Sequence, residues 1–375
     1  MNLAGVVLGA LIVVGPPSGQ PPMGPLQRYD PRLYDFTIDV TLTTSWQLDA
    51  TQQRTYNLVN APIVMPIIFQ GTFSSVSKDS LRARLWLGGR EDIDLTSRTR
   101  LDDGFPHHTQ LAVLTIREFH GKSLRWQLGY RAQVWSSRLK NEKAAAAIGW
   151  PNEWPKEVQD GLKPQKYIES DDPFFAQAVE HASEGKLRLV PPYLAAKDLV
   201  RYCLNEIRLS GGGLGRGNAG VVHGLQIIGA KRAATEGVGG PHDLVCVCVA
   251  MLRAAGIPAR PVIGVHEEKK LGRTRFVSWA EFYLPEAGWV PFDPVEMRGK
   301  VRSLDVRRPW PEFGTMKDLN RRIPLTYHFM PPAAVQTPQY PSIWGWDPRP
   351  GGDPSSQQHI RLSITSRGRG TDDPH

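Results

Sequence analysis

Between Pro241 and Ala255 the chain reads PHDLVCVCVAMLRAA, with a nearly unbroken apolar middle. A helix that is apolar on all sides is stable only where it is buried on all sides. Gly256 and Pro258 follow, residues that end helices. Two β-rich stretches come next, Pro261–Val265 and Arg275–Leu284, and a turn at Pro285–Gly288 leads into Trp289–Pro294. This order predicts an α+β unit in which one central helix packs on an antiparallel sheet.

The rest of the chain divides by periodicity. From about Tyr34 to Ser137, apolar and polar residues alternate in stretches such as Phe36–Leu42, Leu81–Leu87, Leu111–Ile116 and Leu124–Tyr130. Alternation with intervening turns, here Asp102–Gly104 and His120–Lys122, predicts an antiparallel β-sandwich with one wet face. After Lys140, helical signals take over. Asp172 and Pro173 open a run to Gly185, and Tyr193–Ile207 is a second helix. The Gly211–Gly220 stretch lacks the Gly-Lys-Ser/Thr ending of a phosphate-binding loop and reads as a connection. The expected organisation is residues 1–25 as signal peptide and linker, 26–140 as sandwich, 141–330 as the α+β domain, and 331–375 as an extended Pro/Gly-rich tail, with no internal repeat.

Leu3–Val14 is a run of 12 apolar residues, too short for an ordinary bilayer span of about 20 but suited to a signal-peptide core. An exported protein is the expectation, with no membrane span beyond this segment. Of the net charge of +8, a net +5 lies between Arg298 and Arg322. No helix-turn-helix, zinc-finger or ribonucleoprotein signature accompanies that cluster, so it reads as a solvated surface loop and no nucleic-acid partner is expected. Three cysteines, Cys203, Cys246 and Cys248, are too few for a disulfide framework, and no Cys/His spacing suits zinc.

Four elements resemble, in order and spacing, the core of the transglutaminase-like superfamily of papain-like cysteine enzymes. They are Gly240-Pro241-His242-Asp243, Arg253 to Arg260 (RAAGIPAR), Trp279-Ala-Glu281, and Gly288-Trp289-Val-Pro-Phe-Asp293-Pro294. The resemblance implies a catalytic Cys at the N-terminus of the central helix, where helix dipole and free amides favour the thiolate. It also implies a His on the following strand and an Asp beyond it that orients the His. Counting back from Gly256, the nucleophile position falls on Pro241. The position two residues before Trp279 is Val277. Asp293 alone is retained. Cys246 lies about 140° round the helix from Pro241, and Cys248 roughly 10 Å further down it. Both therefore read as core thiols. His242, His223 and His266 are expected in surface or capping roles.

The expectation from these departures is a catalytically inactive module that binds a peptide, protein or polysaccharide, with no cofactor and no metal. Trp279, Glu281, Trp289, His242 and Asp243 are the candidate cleft residues. One alternative is an active cysteine protease or acyltransferase with its nucleophile shifted to Cys246 or Cys248. A second is a carboxylate–histidine or metal site built from His242, Asp243, Glu281 and Asp293.

Overall fold

The computed structural model describes residues 24–44, 55–88, 91–105, 107, 109–216, 221–268, 273–301, 303–329, 343–346 and 356–370. The apolar run at Leu3–Val14 lies outside them. Among the described residues, no helix is long and apolar enough to cross a membrane. The fold is α+β and built largely from antiparallel sheets.

Alternation along the strand Leu26–Thr44 organises the sandwich. Phe36, Ile38, Val40 and Leu42 are each at most 1% exposed, while Asp35, Thr37, Asp39 and Thr41 face outward. This strand pairs with Ser123–Leu139 on one side. On its other side lies Ser356–Arg369, antiparallel from Arg369 opposite Arg32 to Ser356 opposite Thr44. A second sheet covers the buried face, ordered Gly345–Trp346, Tyr56–Ile67, Thr109–Gly121 and Arg100–Phe105. Asp102–Gly104 lies inside this last strand as a register irregularity, not a turn between elements.

The C-terminal strand corrects the reading of residues 331–375 as an extended tail. Ile360 is fully buried, and Trp344 packs its ring 5.3 Å from Trp126 at the sandwich centre. Pro and Gly dominate the composition there, but the short alternating run IRLSIT fills an open edge of the first strand. Within and just beyond the glycine-rich connection, Leu214–Arg216 and Val222–Leu225 pair antiparallel and extend the same sheet, while residues 217–220 lie outside the described residues.

The second unit has a four-stranded antiparallel sheet in the order Gly288–Phe292, Arg273–Leu284, Ala259–Glu268, Arg322–Thr326. Against it lies the central helix Pro241–Ala254, buried at every residue from His242 to Arg253. Helices Pro173–Ser183, Pro192–Glu206 and Ala230–Glu236 surround it. Gly256 ends it at φ +74, a left-handed conformation that glycine adopts without strain. His266 is in the strand Ala259–Glu268, opposite Arg275 and Arg322, and is half-buried there rather than in the expected surface or capping role. The polar HEE run continues the ladder because His266, Glu267 and Glu268 pair in turn with Arg275, Thr274 and Arg273 of the neighbouring strand.

One continuous hydrophobic core runs through both units. Ser137 and Met316 exchange backbone hydrogen bonds, and Asn320 Nδ2 donates to the Asp30 carbonyl at 2.7 Å. The basic stretch Arg298–Arg322 is part of this junction, not simply a solvated loop. Arg298 donates to the carbonyls of Leu204 and Ile207, Lys300 pairs with Glu296 and Glu312, and Arg322 is buried against Asp293. A charge count along the sequence does not reveal the acceptors from other elements, the Leu204 and Ile207 carbonyls and Asp293.

Candidate functional site

The N-terminus of the central helix follows from its first four residues. Gly240 is extended, and Pro241 takes the first helical position, where a missing N–H costs nothing. Asp243 accepts from the Gly240 amide at 2.8 Å through Oδ2, and from the Ile228 and Gly229 amides at 2.8 and 3.0 Å through Oδ1. Its carboxylate is fully engaged in holding the chain around the helix start.

His242 turns inward to the strand Arg273–Leu284. Its Nδ1 lies 2.7 Å from Ser278 Oγ, with both side chains buried. This corrects the expected surface role of His242: its place at the second helical position points it at the sheet. Val277, the neighbour of Ser278, is half-buried and lies opposite Gly264. By strand alternation it shares its face with Trp279 and Glu281.

On and beside that face, four charged residues form two buried pairs, Arg260 with Glu281 and Arg322 with Asp293. Arg260 is fully buried and donates to Glu281 Oε2 from Nε at 2.8 Å and from Nη2 at 2.6 Å. The guanidinium stacks 3.6 Å from the Tyr327 ring centroid and 4.0 Å from that of Trp289, and reaches Thr72 of the sandwich at 3.2 Å. Asp293 caps the helix Pro294–Lys300, accepting from the Val295 and Glu296 amides at 2.9 and 3.0 Å through Oδ1. Its Oδ2 receives Arg322 Nη1 at 2.6 Å. Burial opposes the Arg322 charge, and Asp293 together with Glu312 and Glu296 more than offsets it. The space left between Trp279, Glu281, Arg322 and sandwich residues Thr72–Ser74 is about 10 Å³, room for a single water.

The four residues of the carboxylate–histidine alternative are therefore engaged separately: His242 with Ser278, Asp243 with backbone amides, Glu281 with Arg260, Asp293 with Arg322. Among the described residues, no group of three or more His, Cys, Asp or Glu could hold a metal ion. Cys246 and Cys248 are both fully buried, and burial, foremost, pushes each thiol well above its ordinary pKa. The same apolar helix face that predicts core packing sets this. Sequence reading missed the His242–Ser278 contact and the Asp293–Arg322 pair. The signal for the first was a pair of polar residues, His242 just before the apolar run of the central helix and Ser278 inside an apolar strand. The second joins residues 29 positions apart with no local pattern.

Three buried or half-buried histidines give a pH prediction. Burial, as the largest cause, lowers His242, His266 and His328 each to about 4, from 6.5. As pH falls below 6.5, the unfolded chain takes up these protons before the folded one, so stability declines toward pH 4. Each group contributes a slope of up to about 1.4 kcal/mol per pH unit. Urea unfolding between pH 7 and 4.5 should show this loss, and His242→Gln should make the slope shallower by about one proton's worth. Equal slopes in both proteins would contradict the assignment.

Residues 187–294 match the family model described as the transglutaminase-like superfamily. None of the curated proteins matches the chain. Among solved structures, a presumed cysteine protease from Cytophaga hutchinsonii superposes with a TM-score of 0.53 at 11% identity, covering 92% of this chain and 94% of that one. The periplasmic domain of TgpA from Pseudomonas aeruginosa aligns with a TM-score of 0.32 at 15% identity, over 69% of this chain and 87% of that one. The first likeness establishes a shared fold. The matched segment, residues 187–294, contains the central helix and three strands of its sheet, so the transglutaminase-like likeness rests on this part of the chain.

Proposed function

We propose that the protein is a transglutaminase-like module without thiol-based acyl transfer, acting by binding a peptide, protein or polysaccharide outside the cytoplasm. The observation that carries this reading is Pro241 at the first position of the central helix. Covalent catalysis in this fold needs a thiolate there, stabilised by helix dipole and free amides. Pro241 supplies no nucleophile, Val277 supplies no base, and Asp293 spends both oxygens on a helix cap and on Arg322. The apolar run Leu3–Val14 supports the exported location.

The reading also accounts for the buried thiols. Cys246 and Cys248 have no exposed surface and raised pKa values, the reverse of an activated nucleophile. His242 beside Ser278 is a hydroxyl–imidazole pair, but burial lowers the imidazole to about 4. That is too weak a base for proton abstraction at neutral pH. The pair ties helix to strand.

Incorporation of dansylcadaverine into casein, and hydrolysis of a casein-derived peptide mixture, test the proposal. Loss of such a nucleophile removes about 10⁶-fold in rate, so turnover should equal buffer background. Cys246→Ser and Cys248→Ser should leave it there. Turnover abolished by either substitution would overturn the reading.

A further inference from the structure

Away from the helix terminus, a cavity of about 350 Å³ opens between the helices Pro173–Ser183, Pro192–Glu206 and Ala230–Glu236 and the outer side of the central helix. Its size falls within the range of small-molecule sites. The floor is apolar: Phe175, Val247 and Met251 are each at most 3% exposed. The charged side chains lining it are both carboxylates, Glu206 and Glu236, and none of the lining residues is basic. Glu236 is taken by Arg232 at 2.7 Å. Glu206 is exposed and has no ion-pair or hydrogen-bond partner among the described residues. Tyr202, half-buried one turn before it, lines the same wall and presents an aromatic ring, a surface that favours cations.

We propose that this cavity binds a small apolar molecule carrying one positive charge, such as a phenylalkylamine. Its hydrocarbon end lies on Val247 and Met251, and its ammonium pairs with Glu206 beside Tyr202. An apolar floor alone would accept any hydrophobe. A rim whose one unpaired charge is negative selects the cation and disfavours the carboxylate, because an anion would sit beside the like-charged Glu206 with no counter-charge. No acyl transfer is involved, so the proposal stands or falls independently of the missing nucleophile.

Isothermal titration calorimetry with 4-phenylbutylamine, 4-phenylbutanol and 4-phenylbutyrate on the full chain tests it. The amine should bind tightest, the alcohol weaker and the carboxylate weakest. Glu206→Gln should weaken the amine by roughly threefold to tenfold and leave the alcohol unchanged. Ala234→Trp, which places a large ring from the partly exposed third helix into the cavity, should abolish binding of all three. Unfolding transitions of both variants, matched to the parent, confirm that the fold is intact. Equal affinity for amine and carboxylate, or amine binding untouched by Glu206→Gln, would overturn the charge selection. Binding that survives Ala234→Trp, or no binding of the amine to the parent protein, would overturn the site.

Discussion

Arg260→Ala is expected to lower the unfolding free energy by about 3–5 kcal/mol, because it strands a buried carboxylate. Arg260 has no exposed surface, and the Glu281 it holds is 4% exposed. Burial raises the Glu281 pKa, and the guanidinium acts in the opposite direction. Once Arg260 is gone, Glu281 must ionise in an apolar setting or take up a proton. The substitution also empties the slot between Tyr327 and Trp289 and breaks the contact to Thr72 of the sandwich. The double change Arg260→Met with Glu281→Leu should cost far less than the sum of its single changes, since no unpaired charge is left behind. Urea unfolding of the four proteins measures the coupling. A single-mutant loss below about 1 kcal/mol would mean that the pair behaves as a solvated surface bridge.

That pair also shows how much of the molecule is legible in its sequence. Arg260 and Glu281 stand in the motifs that carried the family resemblance, and strand pairing sets them opposite each other. The central helix was readable because its apolar residues leave no polar face to expose, and its start and end carry Pro241 and Gly256. The sandwich strands were readable because Phe36, Ile38 and Val40 alternate strictly with polar residues. The C-terminal strand was not, because Pro and Gly around it mask a short alternating run whose partner, Leu26–Thr44, lies more than 300 residues earlier. The Asp293–Arg322 and His242–Ser278 contacts were hidden for the same reason: each joins two elements whose proximity only the assembled sheet decides. The basic cluster misled because formal charges were counted without their acceptors.

Pro241→Cys should create a reactive thiol in a protein that has none exposed. Pro241 is partly accessible, at the first position of the central helix, where the helix dipole favours an anion. A cysteine in such a setting titrates at roughly 3.5–7.5 instead of about 8.5. At neutral pH its thiolate fraction rises roughly eightfold to thirtyfold over a free thiol. Val277→His added to this background tests whether a base at the second position increases the rate further.

The most direct measurement is therefore iodoacetamide labelling at pH 7, read residue by residue by mass spectrometry, on the native protein and on Pro241→Cys. The native protein should show Cys203, Cys246 and Cys248 unlabelled while folded and all three labelled in urea, and the variant should gain one fast site at position 241. Rapid labelling of Cys246 or Cys248 in the folded native chain would contradict the account.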